Sequence, residues 1–547
     1  MSDKEFNLLH EPWICVMTPD ADVREVSILD AFRHAHEYRA LSGELPTQNV
    51  AILRLLLAIL HAVFGRCDID GNYFDEDGES NALCDLEPED AYDRWQSLWE
   101  LGKFPMKPIE DYLSHYEERF YLFHPETPFY QVAGLNNGTD YDAPKLNGSL
   151  SESGNKIRLF GQRSGSAKIE LTYAEAARWL LNVNAYDDTS AKPSRRPGGD
   201  KLPSPGAGWL GKLGLIFATG NNLFETLVLN LVFLRNNGHA QWGHELPIWE
   251  IPVRDGERIE IEQPDSLSKI YTVQSRRLLL KHNNNGAVIG YTLLGGDFWI
   301  KENALNEPMT TWRNSAKKPT DTPVYVPARH NPQRQIWRDL AAIVVQQGNN
   351  RPEIVNWIAQ LKSNNCISKP IFCFQTPAVA YGDKDFFVDD IFNDSISFNI
   401  SLLSKAGETW IPRIIEELKT SDALVYQLGI FAKNLALAAG ADTEGATPKG
   451  RQDEYTMKAY YELDAAYRHW LESIDPEQNM DIDATMDSWW NIAKAKVREI
   501  GRSLIMQSGA NAFVGHPNQM TSSEAYNLFL YKTSSRENLL KKSGGKK

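Results

Sequence analysis

Residues Ile411–Ala439 read IPRIIEELKTSDALVYQLGIFAKNLALAA. Apolar side chains recur in this stretch at three- and four-residue spacing, the period of one helix face. Glu454–Ser473, Ala484–Gln507 and Ser522–Leu540 support the same periodicity, with polar or Gly/Pro-bearing connectors between them. Four long amphipathic segments with short loops bury their apolar faces against one another, so residues 403–547 are expected to form a four-helix bundle. The Gly/Lys-rich tail Lys541–Lys547 is expected to be disordered.

Upstream of about Leu403 the character differs. Glu5–Arg24 reads as a pair of short strands turning at Thr18–Asp22, followed by a helix over Leu29–His36. Val50–Phe64 is the most apolar run and reads as a buried helix capped near Thr47, just after Pro46. Arg54 and His61 interrupt it, and as a 15-residue run it falls short of the roughly 20 that span a bilayer. His61, on an apolar face, reads as a hydrogen-bonded core histidine rather than a ligand. Trp95–Leu101 and Ile109–Tyr116 read as helices, Arg119–Phe123 as a strand and Leu135–Gly154, rich in Asn, Gly, Asp and Ser, as a mobile loop. Thr172 with Glu175 makes a capping box ahead of an amphipathic helix over Tyr173–Asn182. Asp187–Gly211 is dense in Ser, Pro and Gly and promises no regular element, whereas Phe224–Arg235 returns to helix. Hairpins are expected at Ile248–Ile261, turning at Asp255-Gly256, and at Arg277–Leu293, turning at Asn284–Gly286. Helices and strands mix without the alternation of a doubly wound sheet. The fold class is therefore α+β: a mixed α/β domain over residues 1–402, then the bundle.

Charge narrows the function less than its sum implies. The chain carries a formal net charge of −15. Residues 1–150 hold 28 acidic against 11 basic residues, which leaves 46 basic and 44 acidic in the rest. Lys156–Lys212 has ten Lys or Arg against five Asp or Glu, so the acidity is local and a basic segment follows it. The five cysteines form no C-x-x-C pair, which suits reduced thiols in the cytoplasm rather than disulfides or zinc. The amino terminus, Met1–Phe6, is charged and polar and does not read as a signal peptide.

No phosphate loop, nucleophile elbow, H-E-x-x-H or His-Asp nuclease doublet occurs. Asp68, Asp70, Asn72 and Glu79 have the spacing of a calcium loop, but position six is Tyr73 where the turn needs glycine, so a solvated acidic loop is expected. Neither a metal nor a cofactor is expected.

Several stretches, in order, resemble the large-subunit family (CasA) of type I-E CRISPR Cascade complexes. These are Phe6-Asn7-Leu8-Leu9 with Glu11-Pro12-Trp13-Ile14, then Leu41–Gln48 leading into Leu53–Leu60, then Pro128-Phe129-Tyr130-Gln131. Ala174–Arg178, Leu181-Asn182 through Ala185-Tyr186, and Gln274-Ser275-Arg276-Arg277 continue the series. The resemblance implies a family-specific mixed α/β domain followed by a four-helix bundle, and no catalysis. It implies a subunit that inspects the short adjacent motif (PAM) in double-stranded target DNA while a guide RNA reads sequence by pairing. The implied partners are the other Cascade subunits, the guide RNA near its 5′ end, and a recruited helicase–nuclease that docks after the strands open; no membrane is implied.

Carried over residue by residue, the family's first mobile loop falls after Phe160, with Arg163 and Lys168 able to pair with phosphates and Phe160 to stack on a base or simply end a strand. The glycine-rich loop that enters the minor groove is best matched by Arg195, Arg196, Pro197, Gly198, Gly199, Asp200 and Lys201, with Gly206–Gly211 competing. A strand-separating wedge should follow Ala378–Tyr381, at Gly382–Phe386; Lys384 or Phe386 can intercalate or stack, while Asp383 and Asp385 make the tip more acidic than in relatives. A lysine finger has no clear equivalent, because the matched region near Gly290 lacks lysine and Lys281 is only a neighbour. Lys494, Arg498 and Arg502 make one basic helix face, either solvated or on a nucleic-acid strand. Two other readings remain: a metal-dependent nuclease or nucleotide-hydrolysing defence protein, and an assembly subunit that never touches DNA.

Overall fold

The computed structural model describes residues 4–74, 87–152, 161, 163–191, 204–235, 242–243, 246–253, 266–297, 307–316, 324–346, 351–442 and 445–540. The chain divides into two compact units. The first comprises Met1–Gln333, Gln346–Ser368 and Cys373–Ser395; the second comprises Arg334–Val345, Lys369–Phe372 and Ile396–Lys547.

The first unit is built around the helix Pro46–Phe64. Pro46 sits in its first turn, where a missing N–H costs no helical bond, so the helix starts there and not at a Thr47 cap. It is long and apolar enough to cross a membrane, but 94% of its most apolar window is buried within the protein. The helices Tyr173–Tyr186 and Leu267–Tyr271 pack on it, and the unit also holds small antiparallel sheets. Ile14–Met17 pairs on one side with Val23–Val26 and on the other with Ala40–Leu41. Val288–Gly295 is the middle of another sheet, between Arg276–His282 and Thr139–Asp142. The turn between its two longer strands holds Gly286 at φ +76°, as the Asn284–Gly286 signal requires. The capping box at Thr172 and Glu175 forms as read, and its helix runs to Tyr186.

Three local readings are corrected. The loop expected at Leu135–Gly154 contains the strand Thr139–Asp142 and the helical turn Ala143–Leu146, because Tyr141 finds a ladder partner in Tyr291 that its own polar neighbourhood does not announce. The strand expected from Arg119 is a 3₁₀ turn to Phe120 and becomes a strand only over Tyr121–Phe123. The helix begun at Leu223 stops at Leu229, since the Asn230 side chain accepts from Ala218 N–H at 3.0 Å and donates to the Ala218 and Thr226 carbonyls at 2.7 Å. The hairpin turn at Asp255-Gly256 and the tail Lys541–Lys547 lie outside the described residues.

The second unit is the bundle. Its helices run Trp410–Ala438, Ala446–Glu472, Ile482–Met506 and Ser522–Lys532. The last was expected to continue to Leu540, but Thr533-Ser534-Ser535 breaks it: Thr533 and Ser534 bond back to the Phe529 and Tyr531 carbonyls, and Ser535 Oγ accepts from Asn538 N–H as Arg536–Leu540 restarts. Aromatic rings fill the core, with Trp337 stacked on Tyr467 at 4.5 Å and Tyr467 edge-on to Trp489 at 5.0 Å. Trp337 explains why residues 334–345 belong to this unit.

Candidate nucleic-acid interface

The loop carrying Arg195, Arg196, Gly198, Gly199 and Lys201 lies outside the described residues, but buried charge holds the described chain on either side of it. The helix Tyr173–Tyr186 delivers Asp187 and Asp188 to the entry, and Arg276 comes from the neighbouring sheet. Its guanidinium donates to the Asp187 carboxylate at 2.8 Å and to the Asp188 carbonyl at 2.9 Å, and reaches the Gly206 carbonyl on the exit side at 2.7 Å. Lys145 adds an ion pair to Asp188 at 2.8 Å. Burial works against the Lys145 charge, yet Asp187 and Asp188 together hold its ammonium above the ordinary lysine range. One arginine thus ties Asp187 and Asp188, before the segment, to Gly206 after it.

The competing segment Gly206–Gly211 has its own explanation. A Cβ at Gly208 would collide with the Ala185 carbonyl, and one at Gly211 with the Tyr381 hydroxyl. Both glycines are buried and serve close packing.

The hairpin read at Gly382–Phe386 is present: Ala378–Tyr381 pairs antiparallel with Val388–Phe392. Lys384 and Phe386 are exposed at its tip, Phe386 at 51%, and beside them Phe387 is 43% exposed. Asp385, whose charge alone would repel phosphate, faces a cation: Arg329 donates to its two carboxylate oxygens at 2.8 and 3.0 Å. The tip touches the loop base, because Thr189 N–H donates to the Asp385 carbonyl at 3.0 Å and the Tyr381 hydroxyl donates to the Tyr186 carbonyl at 2.7 Å. The described flank of one candidate element, Tyr186 and Thr189, thus meets the other candidate element. Arg329 and Phe387 were not singled out in the sequence. Phe387 was adjacent to a recognised turn and legible, whereas Arg329 pairs 56 positions away and carried no local signal.

Other expected residues are occupied. Arg163 bonds Glu175 and Glu44, both at 2.8 Å, and Lys168 pairs with Glu152 at 2.7 Å. Phe160 lies outside the described residues. Lys281 stands directly across the ladder from Gly290, with its ammonium 2.7 Å from Asp140, so the hairpin register brings a lysine to the position where sequence order found none. In the bundle, Arg498 donates to Thr533 Oγ1 at 3.0 Å and to the Leu530 carbonyl at 2.8 Å, closing the end of the fourth helix. Lys494 lies 5.4 Å from the Trp490 ring centroid, and Arg502 is exposed. Asp68 accepts from the Asp70 and Asn72 backbones and the Asn72 side chain, an Asx turn; Glu79 lies outside the described residues. Among the described residues no group of three or more His, Cys, Asp or Glu is placed to hold a metal.

Comparison with known proteins agrees with this architecture. A family model described as CRISPR-associated protein Cse1 matches residues 7–500. A CRISPR-associated protein CasA/Cse1 from Thermus thermophilus is 34% identical over 351 residues, which is 63% of this chain; the match spans only 61% of that protein. The crystal structure of Thermobifida fusca Cse1 is similar with a TM-score of 0.82 at 30% identity, covering 98% of each chain. A chain in a structure described as a CRISPR RNA-guided surveillance complex shares the fold, with a TM-score of 0.70 at 18% identity over 97% of this chain and 99% of that one. This chain belongs to the CasA/Cse1 large-subunit family of CRISPR-associated proteins.

Proposed function

We propose that the chain is the non-catalytic large subunit of a cytoplasmic type I-E CRISPR RNA-guided surveillance complex. In this reading it recognises the PAM in double-stranded DNA, helps open the duplex, stabilises the resulting R-loop and offers a docking surface to a helicase–nuclease. Family membership supports the assembly with other subunits and a guide RNA, as does the shared fold of a chain from a surveillance complex. The observation that carries the DNA reading is the Thr189–Asp385 hydrogen bond, which joins the base of the loop bearing Arg195, Arg196, Gly198, Gly199 and Lys201 to the hairpin tip. A PAM and the first base pair beyond it are about 3.4 Å apart along the strand, so reading and opening need two elements at one spot. Lys384 would meet phosphate and Phe386 would stack on or wedge between bases. Phe160, Arg163 and Lys168 would serve the guide end, and Lys494 and Arg498 the displaced strands. The acidic excess of residues 1–150 would face away, beyond a Debye length of about 10 Å at 0.1 M salt.

The test is the complex assembled with guide RNA and offered matched and altered PAM duplexes, with and without magnesium, the product run on a gel. Expected is PAM-dependent binding without cleavage. Binding indifferent to the PAM would leave an assembly role only. Metal-dependent cutting by the chain, retained through size exclusion, would favour a nuclease.

A further inference from the structure

The hairpin tip adopts a turn that Lys384 disfavours. Phe386 N–H donates to the Asp383 carbonyl at 3.1 Å, and the two residues between, Lys384 and Asp385, have positive φ of 52° and 59°. Hairpin turns of this hand are normally made by Asn-Gly or similar pairs, because a lysine Cβ is crowded there. Something outside the turn must hold it. Asp385 is held twice: its carboxylate by the two-pronged contact from Arg329, its carbonyl by Thr189 N–H. Arg329 in turn lies 5.3 Å from the ring centroid of Tyr381, on the strand that feeds the tip. The Arg329–Asp385 pair is partly exposed, so it adds little to global stability. Its effect is on where the tip sits.

We infer that Asp385 is a positioning residue: oriented by Arg329, its carbonyl fastens the hairpin tip to Thr189, so that the tip is held against the chain leading into the segment proposed to read the duplex. This rests on the proposed function for what the two elements do, and extends it by naming Arg329, Asp385 and Thr189 as the linkage that fixes where the opening tip sits.

Asp385→Asn keeps a residue that tolerates positive φ while removing the charge, and Arg329→Gln removes the other half. In the full chain, amide hydrogen exchange at Thr189 reads the link directly and needs no DNA. It should quicken about tenfold in either variant and no further in the double variant. In the assembled complex, 2-aminopurine in the first base pairs beyond the PAM reads opening. Each single variant should slow it about tenfold while duplex affinity stays within about twofold, and the double should be no slower than the slower single, because one linkage is lost only once. Unchanged Thr189 exchange would overturn the inference. So would a double variant slowed by the product of the singles, or a salt slope lowered by about one in Arg329→Gln, which would make Arg329 a phosphate contact in its own right. A wild-type complex that opens altered-PAM duplexes equally fast would sink the functional reading instead, and Thr189 exchange would still decide the linkage.

Discussion

The base of the candidate loop, at Asp187, Asp188 and Arg276, and the centre of the bundle are both buried, yet opposite chemistry holds them. The loop base depends on charge: Arg276 on Asp187 and two carbonyls, Lys145 on Asp188. The bundle centre depends on rings: Trp337, Tyr467, Trp470 and Trp489 within 4.5–5.4 Å of a neighbour, with one indole N–H donating to Ser421 at 2.9 Å. Ring packing spreads its energy over many small contacts, so a ring-for-ring change loses part of it, whereas a buried ion concentrates its energy in one pairing and is costly when half of that is removed. The chain uses buried ions where Asp187, Asp188 and Gly206 must be held to one geometry, and ring packing where regular helices meet.

The largest effect should follow from breaking a buried pair. Arg54, inside the core helix, bonds Glu307 at 2.6 and 3.0 Å, and both side chains are almost fully buried. Arg54→Met strands the carboxylate and should cost about 3–5 kcal/mol in chemical denaturation, while adding Glu307→Met should recover most of it. If the double variant is as unstable as the single one, the pair is not the reason.

His61 is next. It was read as a hydrogen-bonded core histidine; it is buried, but neither ring nitrogen has a hydrogen-bond partner among the described residues, and it packs against Phe233 and Tyr271. Burial alone pushes its pKa down to about 3. The folded state then keeps His61 neutral while the unfolded chain takes up a proton below about pH 6.5. Stability is therefore intact above that pH and falls as pH drops from there toward 3, by roughly 2 kcal/mol between pH 7 and 5. His61→Leu should flatten this acid limb and raise stability at pH 5; an unaltered limb would assign it to other groups.

The smallest effect belongs to the bundle. Trp489→Phe loses the bond to Ser421, whose hydroxyl still donates to the Glu417 carbonyl at 2.8 Å, so no buried group is orphaned. A loss of about 1–2 kcal/mol is expected by thermal unfolding. A loss as large as that of Arg54→Met would remove the distinction between the two regions.

That distinction also explains what the sequence made legible. The bundle helices announced themselves because periodicity is a local property: Ile414, Leu418, Leu424 and Leu428 share one buried face. The hairpin at Asn284–Gly286 and the capping box at Thr172 were legible for the same reason. The ties of the first unit were not: Arg54 meets a residue 253 positions away and Arg276 one 89 positions away, and nothing near either names the partner. The candidate loop and hairpin were recognised from family resemblance, but the bond from Thr189, ahead of the loop, to Asp385 in the hairpin tip is tertiary and had no signature.

The account stands most directly on whether the clamped loop faces DNA. The deciding measurement is the affinity of the assembled, guide-loaded complex for matched and altered PAM duplexes across a salt series, for the wild type, Arg195→Ala with Arg196→Ala, and Gly199→Asp. Each phosphate contact removed should lower the salt slope by about one, so the arginine pair should weaken all duplexes alike and flatten the slope by about two while PAM preference persists. Gly199→Asp should instead erode PAM preference more than non-specific binding, because backbone approach to base edges is blocked. An unchanged slope for the arginine pair, together with normal PAM preference for Gly199→Asp, would show that the loop faces elsewhere and would contradict the account.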